Sequence, residues 1–252
     1  MSEWRLLSLG ATDPYVSQSL KEMFLQAFKR ELIPNTLCFY VPKRHVWVGR
    51  RASVEKQVDL EYCRKEKIPI VRGLLGGTGA VIFDEDILDW TTLVLKEQPS
   101  IQDLRHCVAE GLRFMGLEAE LKPRSNDVLV GDKKISGTAI GVFHGGFFIF
   151  GGDVIVDFNY DLCENALLST KNHREWVTTL KAQLGREVSF SEVISALTQG
   201  FETTLNIKFD EESTSLTEAE KQILESLQEK YRSEEWTKRG RWSPVKDYWR
   251  PL

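Results

Sequence analysis

The sequence predicts an α/β protein of the α+β kind, with strands and helices mixed along one chain. Three observations predict it. Short apolar runs rich in β-branched residues recur at 4–9, 37–41, 46–49, 68–71, 80–83 and 91–96. Stretches of helical periodicity lie between and after them, the clearest at 101–115 and 189–205. Residues 135–158 are dense in β-branched and aromatic side chains broken by Gly145-Gly146 and Gly151-Gly152, the pattern of two antiparallel strands joined at 144–146.

Each element has its own signal. After the first strand, Asp13-Pro14 starts a helix that carries Val16, Leu20, Met23, Phe24 and Phe28 at helical spacing. Lys43-Arg44 turns the chain, and 46–49 reads as the returning strand. A short helix is expected over 58–67, then a strand at 68–71 that enters a glycine-rich stretch. In 101–115, Leu104, Val108, Leu112 and Met115 form one stripe, and Gly116 ends it. A strand at 117–121 follows. Gly131-Asp132 is a hairpin turn between two apolar runs. Phe143, Phe147, Phe148 and Phe150 read as a packed sheet face, with an apolar ligand tunnel as the other use for such a group. Ser189 caps the helix that buries Val193, Ile194, Leu197 and Phe201. Past a polar connector at 210–215, Thr217-Glu-Ala-Glu220 is a capping box for a last helix running to about Tyr231.

Composition narrows the function classes. At 252 residues with 42% hydrophobic and 28% charged content, the chain is long enough for one large domain with its own core. A net charge of −4 gives no basic surplus for nucleic acid. No apolar run is long enough to span a bilayer, and the first residues lack the pattern of a secretory leader. Cys38, Cys63, Cys107 and Cys163 show no CxxC pairing and read as reduced, mostly buried thiols, so a cytoplasmic location is expected. His45, His106, His144 and His173 are far apart, and no metal site is expected from them.

Two stretches carry the chemistry. In residues 71–84, Gly76, Gly77 and Gly79 leave the backbone bare beside Thr78, so a ligand can approach closely; Ala80, Val81, Ile82 and Phe83 then read as a buried strand. In residues 125–139, Lys133 and Lys134 follow the hairpin turn, and alternation places them on opposite faces of the next strand. A lysine turned inward beside a glycine cradle suits a phosphate or carboxylate. Asn126 and Asp127 precede the turn, either as nucleotide or Mg²⁺ contacts or as an Asx turn fixing the strand entry.

Taken together and in this order, the stretches resemble the lipoate–protein ligase A family. Its second signature, N-D, a short turn, then K-[IV]-x-G-[ST]-A, is matched by Asn126, Asp127, Lys134, Ile135, Gly137, Thr138 and Ala139. Its first, R-R-x-[ST]-G-G-G-[AT]-V-x-x-D, is matched in part from Arg72 to Asp84. Lys230, Tyr231, Glu235, Trp236, Ser243 and Pro244 resemble the family's closing run, so the likeness covers nearly the whole chain.

The resemblance implies a mixed, largely antiparallel sheet flanked by helices, as in biotin and lipoate protein ligases. It implies a catalytic unit over 1–209 and a C-terminal helix and tail, 210–252, packed on it. The separate accessory domain of longer ligases is not expected within the chain, and in some short members a second polypeptide supplies it. The implied reaction uses ATP and Mg²⁺ to convert lipoate to lipoyl-AMP. The acyl group then passes to a lysine of a lipoyl-acceptor protein, the E2 of a 2-oxoacid dehydrogenase or the glycine cleavage H protein. Lys134 is the implied catalytic cation, able to stabilise charge developing at the acyl phosphate. Arg72, Gly76, Gly77, Thr78, Gly79, Ala80, Val81, Asn126, Asp127, Gly137 and Thr138 are the implied lipoate and ATP contacts.

The first signature also departs from the family. Its second arginine is Gly73, its Ser/Thr is Leu75, Thr78 interrupts the glycines, and Phe83 stands before the aspartate. Two alternatives therefore stay beside the ligase. One is a lipoyl or octanoyl transferase that needs no ATP and uses a cysteine thioester; residues 117–127 hold no cysteine, and Cys163 lies 29 residues after Lys134 without the Pro-Cys-Gly setting of that branch. The other is a non-catalytic binding protein that keeps the pocket.

Overall fold

A computed structural model describes residues 4–95, 99–143, 147–168, 172–210 and 213–241. β1 (Trp4–Thr12) leads into α1 (Pro14–Lys29), where the Asp13 carboxylate accepts the N–H groups of Tyr15 and Val16. β2 (Asn35–Pro42) lies parallel to β1. The next strand, β3 (His45–Val48), does not return along β2. It starts a second sheet with β4 (Ile70–Arg72), parallel to it, and β5 (Ala80–Phe83), antiparallel. The expected hairpin is corrected here: every β2 residue from Thr36 to Tyr40 is paired to another strand, β6 (Ile87–Leu95), so β3 finds no open edge there. The expected helix at 58–67 is split into α2 (Val54–Gln57) and α3 (Leu60–Lys65), the latter capped by Asp59.

Past α4 (Ile101–Phe114) and β7 (Ala119–Leu121), the hairpin of β8 (Asp127–Val130) and β9 (Lys133–Phe143) turns at Gly131, φ +63°. β10 (Phe147–Ile155) runs antiparallel to both β9 and β6. The large sheet has the order β1-β2-β6-β10-β9-β8-β7; only the β1–β2 pair is parallel, so it is mixed and largely antiparallel. Short helices α5 (Tyr160–Ala166), α6 (His173–Trp176) and α7 (Leu180–Leu184) precede the long α8 (Phe190–Leu205). The capping box at Thr217 opens α9 (Glu218–Arg232), and α10 (Glu234–Arg239) follows.

Two cores sandwich the large sheet. On one face Trp4, Phe39, Trp90, Ile135 and Phe150 pack against α4 and α8. On the other, Leu7, Cys38, Tyr40 and Ile149 pack against α1, α9 and α10. The last helices thus share a core with the N-terminal strands, which explains why Ile223, Leu227 and Tyr231 fall at helical spacing. Phe150 is buried against Trp90, ring centroids 5.3 Å apart, and Phe148 packs beside that core, so neither lines a tunnel. The side chains of Phe143 and Phe147, and the expected loop at 144–146, lie outside the described residues. Among the described residues no helix is long and apolar enough to cross a membrane.

Candidate active site

The site forms where the small sheet faces the α1 side of the large one. Lys134 follows the β8–β9 turn, and its ammonium lies 3.2 Å from Asp127 Oδ1. A bulge decides where it points. Val128 pairs with Ser136 but Leu129 pairs with Lys134, so Ile135 is an extra residue in β9. Strict alternation would put Lys134 and Gly137 on opposite faces; the extra residue puts them on the same one. A Cβ at Gly137 would collide with Lys134 Nζ, so glycine leaves the ammonium its berth. Lys133 does point elsewhere, donating to the Arg174 carbonyl at 2.8 Å.

Asp153 on β10 sits opposite Gly137 and accepts its N–H at 2.8 Å. Burial lowers the proton affinity of Lys134, but the charges of Asp153 and Asp127 outweigh it and raise the ammonium above its ordinary range. Burial raises Asp153 despite the opposing pull of Lys134. Lys134 is therefore a fixed cation whose side chain is still 21% exposed.

Lys134 and Asp153 meet Ala80, Val81 and Ile82 across a small, mostly apolar cavity, closed by Phe158, Leu167, Trp176 and Val177. Its open volume is about 50 Å³, room for one or two waters, so an acyl chain has to part these side chains. The segment carrying Trp176 is tied to the lysine strand: Thr178 N–H donates to the Lys134 carbonyl at 2.8 Å. A larger groove of about 1220 Å³ lies on the opposite face, between α8 and the β1–β2 side of the sheet, and none of the expected site residues lines it.

The expected residues divide into groups. Lys134, Asp127, Gly137, Ala80 and Val81 come together. Asn126 and Thr138 serve the hairpin, since the Asn126 carbonyl accepts both the N–H and the hydroxyl of Thr138, at 3.0 and 2.8 Å. Gly77, Thr78 and Gly79 are exposed, and a Cβ at Gly77 or Gly79 would meet nothing within 4 Å. Gly76 is different: it has φ +91°, and a Cβ there would strike the ring of Trp47. Its glycine serves a turn and a packing contact. Arg72 is turned away from the cavity. Its guanidinium donates to the carbonyls of Gly49, Arg50, Trp236, Thr237 and Lys238 at 2.8–3.2 Å. These bonds commit its donors to the end of α10 and to the loop after β3.

Asp153, Phe158, Cys163, His173 and Trp176 line the cavity but were not among the expected contacts. Asp153 had a legible signal, an acid inside an apolar strand next to Gly151-Gly152. Phe158 reaches the cavity from the loop after β10, and Cys163, His173 and Trp176 from short helices that have no long periodic pattern.

This arrangement matches a known family. A model of the lipoyl protein ligase A/B catalytic domain fits residues 13–202. The chain belongs to this family. Among curated relatives, the octanoyltransferase LipM of Moorella thermoacetica is 26% identical, over 94% of this chain and 98% of its own length. Lipoate-protein ligase A subunit 1 of Thermoplasma acidophilum is 30% identical, over 79% of this chain and 83% of its own. Among solved structures, a lipoate-protein ligase A bound with ATP superposes with a TM-score of 0.82 at 30% identity, covering 93% of this chain and 98% of that one. One from a bipartite lipoate protein ligase system of T. acidophilum, studied with its E2 lipoyl domain, gives 0.84 at 28% identity, covering 98% and 100%. This family member thus has the ligase fold and is an enzyme of the lipoate ligase and octanoyltransferase group.

Proposed function

We propose that this chain is an ATP-dependent lipoate–protein ligase, activating lipoate to lipoyl-AMP and passing the acyl group to a lysine of a lipoyl-acceptor domain. The observation that carries this reading is the pairing of a fixed cation with unreactive thiols. Lys134 stands charged at the cavity, where an acyl phosphate needs charge compensation. All four cysteines are free and buried. Burial pushes Cys63 up to about 11 and Cys163 up to about 12, and raises Cys38 and Cys107 further. A thioester mechanism needs a thiolate, the form that burial disfavours at all four.

The residues suit the nucleotide. Exposed backbone at Gly77–Gly79 leads into the strand that lines the cavity, and Asp127 stands beside Lys134. Among the described residues no group of three or more His, Cys, Asp or Glu forms a metal cage. Mg²⁺ suits this, because it is commonly held by substrate phosphates and one or two carboxylates, here Asp127. When bound, it would neutralise phosphate charge. The acceptors in this reading are E2 and H-protein lipoyl domains, an accessory chain is a partner, and the setting is the cytoplasm.

A second reading, an ATP-independent octanoyl transferase, is favoured by one specific contact: Cys163 lines the same cavity as Lys134. Several of the curated relatives are also octanoyltransferases. The deciding experiment is the intact mass of an apo lipoyl domain incubated with this protein, in one arm with lipoate and Mg-ATP, in the other with an octanoyl thioester and no ATP. The ligase reading expects modification in the first arm, retained in Cys163→Ser. Modification only in the second arm, lost in Cys163→Ser, would replace it with the transferase.

A further inference from the structure

The α1 face of the large sheet carries a row of polar residues that runs straight across five strands. Tyr40 pairs with Asp89, Asp89 with Asp153, Asp153 with Gly137, and Gly137 with Asp127. A lysine covers each end. Lys21 of α1 donates to Tyr40 Oη at 2.6 Å and to Asp89 Oδ2 at 3.1 Å. Gly151 makes room for it, since a Cβ there would come within 2.9 Å of Lys21 Cε. Lys134 covers Gly137 and pairs with Asp127. Two carboxylates, Asp89 and Asp153, thus stand side by side in the middle of the row, with Asp153 the one that lines the cavity.

We propose that Asp153 is the catalytic base of the transfer step, taking the proton from the ammonium of the acceptor lysine at the cavity. The inference deepens the proposed function, because it takes that lysine as the nucleophile. The chemistry requires such a group. A lysine of ordinary pKa is neutral in only about one molecule in a thousand near pH 7.4, and only the neutral amine has a lone pair for the acyl carbon.

Geometry selects Asp153 over its neighbours. Asp127 is engaged at both oxygens, Oδ1 by Lys134 at 3.2 Å and Oδ2 by the Ser125 hydroxyl at 2.8 Å. Asp89 is held by Lys21 and does not line the cavity. Asp153 accepts the Gly137 N–H through Oδ1 and faces the cavity. The groups whose charges act on it are Lys134, Asp127 and Lys21, and its own charge acts on Asp89 of the adjacent strand; His173 and Cys163 lie across the cavity. When Lys134 turns its charge to an acyl phosphate, Asp153 keeps the repulsion of Asp127 and loses part of its compensation, so its affinity for a proton rises as the ammonium arrives.

The step balances. The Asp153 carboxylate takes one N–H proton. The amine lone pair forms the bond to the acyl carbon, the bond between that carbon and the bridging phosphate oxygen breaks, and AMP leaves with that oxygen and the electron pair. The second nitrogen proton goes to the phosphate or water, and Asp153 returns its proton to solvent.

The test uses the full chain with preformed lipoyl-AMP and an apo lipoyl domain, in single turnovers across pH, with hydroxylamine as a second nucleophile. Hydroxylamine is uncharged at neutral pH and needs no base. Asp153→Asn is expected to slow transfer to the domain by about 100-fold or more, the usual scale of general base catalysis, while binding lipoyl-AMP within threefold of wild type and releasing it to hydroxylamine at the wild-type rate. Lys21→Met gives a second reading. Removing that cation raises the proton affinity of Asp153, so the acid limb of the pH profile moves to higher pH. Equal loss toward both nucleophiles, or an acid limb unmoved in Lys21→Met, would overturn the assignment. Wild-type protein inert toward lipoyl-AMP and toward an octanoyl thioester would overturn the proposed function and this inference with it.

Discussion

Arg72 and Trp236 hold each other by two hydrogen bonds across 164 residues of chain: Arg72 Nε donates to the Trp236 carbonyl at 3.0 Å, and Trp236 Nε1 donates to the Arg72 carbonyl at 2.9 Å. The carbonyls of Thr237 and Lys238 lie in the last turn of α10, where helix carbonyls run short of partners within the helix, and a cation suits that end of the helix dipole. The strand that leads into the glycine loop is thereby fixed to the last described helix.

This relationship makes Arg72 a stability residue. Arg72→Ala orphans buried carbonyls, at about 3 kcal/mol, and should lower the melting temperature by roughly 6–12 °C for a chain of this size. Scanning calorimetry measures it. An unchanged melting temperature with lost nucleotide binding would return Arg72 to the phosphates.

The two adjacent lysines should behave differently. Lys134→Ala removes the cation from the cavity and should reduce acyl transfer by at least about 100-fold, with the circular dichroism spectrum preserved. Lys133→Ala loses one exposed bond to the Arg174 carbonyl and should stay within about twofold. Steady-state transfer assays on both variants check this. Equal loss would mean that the β9 bulge does not set the faces as described.

The glycines separate by the same kind of comparison. Gly77 has room for a side chain and no left-handed φ, so Gly77→Val should leave the melting temperature nearly unchanged while raising the Kd for lipoyl-AMP at least tenfold, about 1.4 kcal/mol. Gly76→Ala meets both φ +91° and the Trp47 ring, so it should lower stability first. Titration calorimetry and thermal melts on the two variants separate pocket from turn. A stable Gly77→Val that binds normally would remove Gly77 from the site.

Asp86 sets a pH dependence of stability. Burial raises its carboxyl to about 6, although the backbone N–H groups of Asn159 and Asp84 pull the other way. The folded value exceeds the unfolded one, about 3.9, so the native state holds this proton more tightly. Its contribution is full below about pH 4 and is lost as pH rises through 6, on the order of 3 kcal/mol. Asp86→Asn should flatten the stability profile between pH 4 and 7, as read by urea denaturation. An unchanged slope would show that Asp86 titrates normally.

The sequence by itself determined the strand and helix types of the long elements, the opposite faces of Lys133 and Lys134, and the family. Those signals are local: period 3.6 in 101–115 and 189–205, a capping box at Thr217, and a turn dipeptide at Gly131-Asp132 fixing where Lys133 and Lys134 begin. The tertiary structure alone decided the rest. That β3 leaves for a second sheet depends on β6, 40 residues on, already occupying the edge of β2. The roles of Arg72 and Gly76 depend on Trp236 and Trp47, which no spacing rule links to them. The shared face of Lys134 and Gly137 depends on an extra residue in β9 that has no turn or glycine signature. Asp153 stands beside Asp89 and across from Lys134 because three antiparallel strands fall into one register. Register is a property of the packed sheet, set by which faces are buried, and a single strand does not carry it.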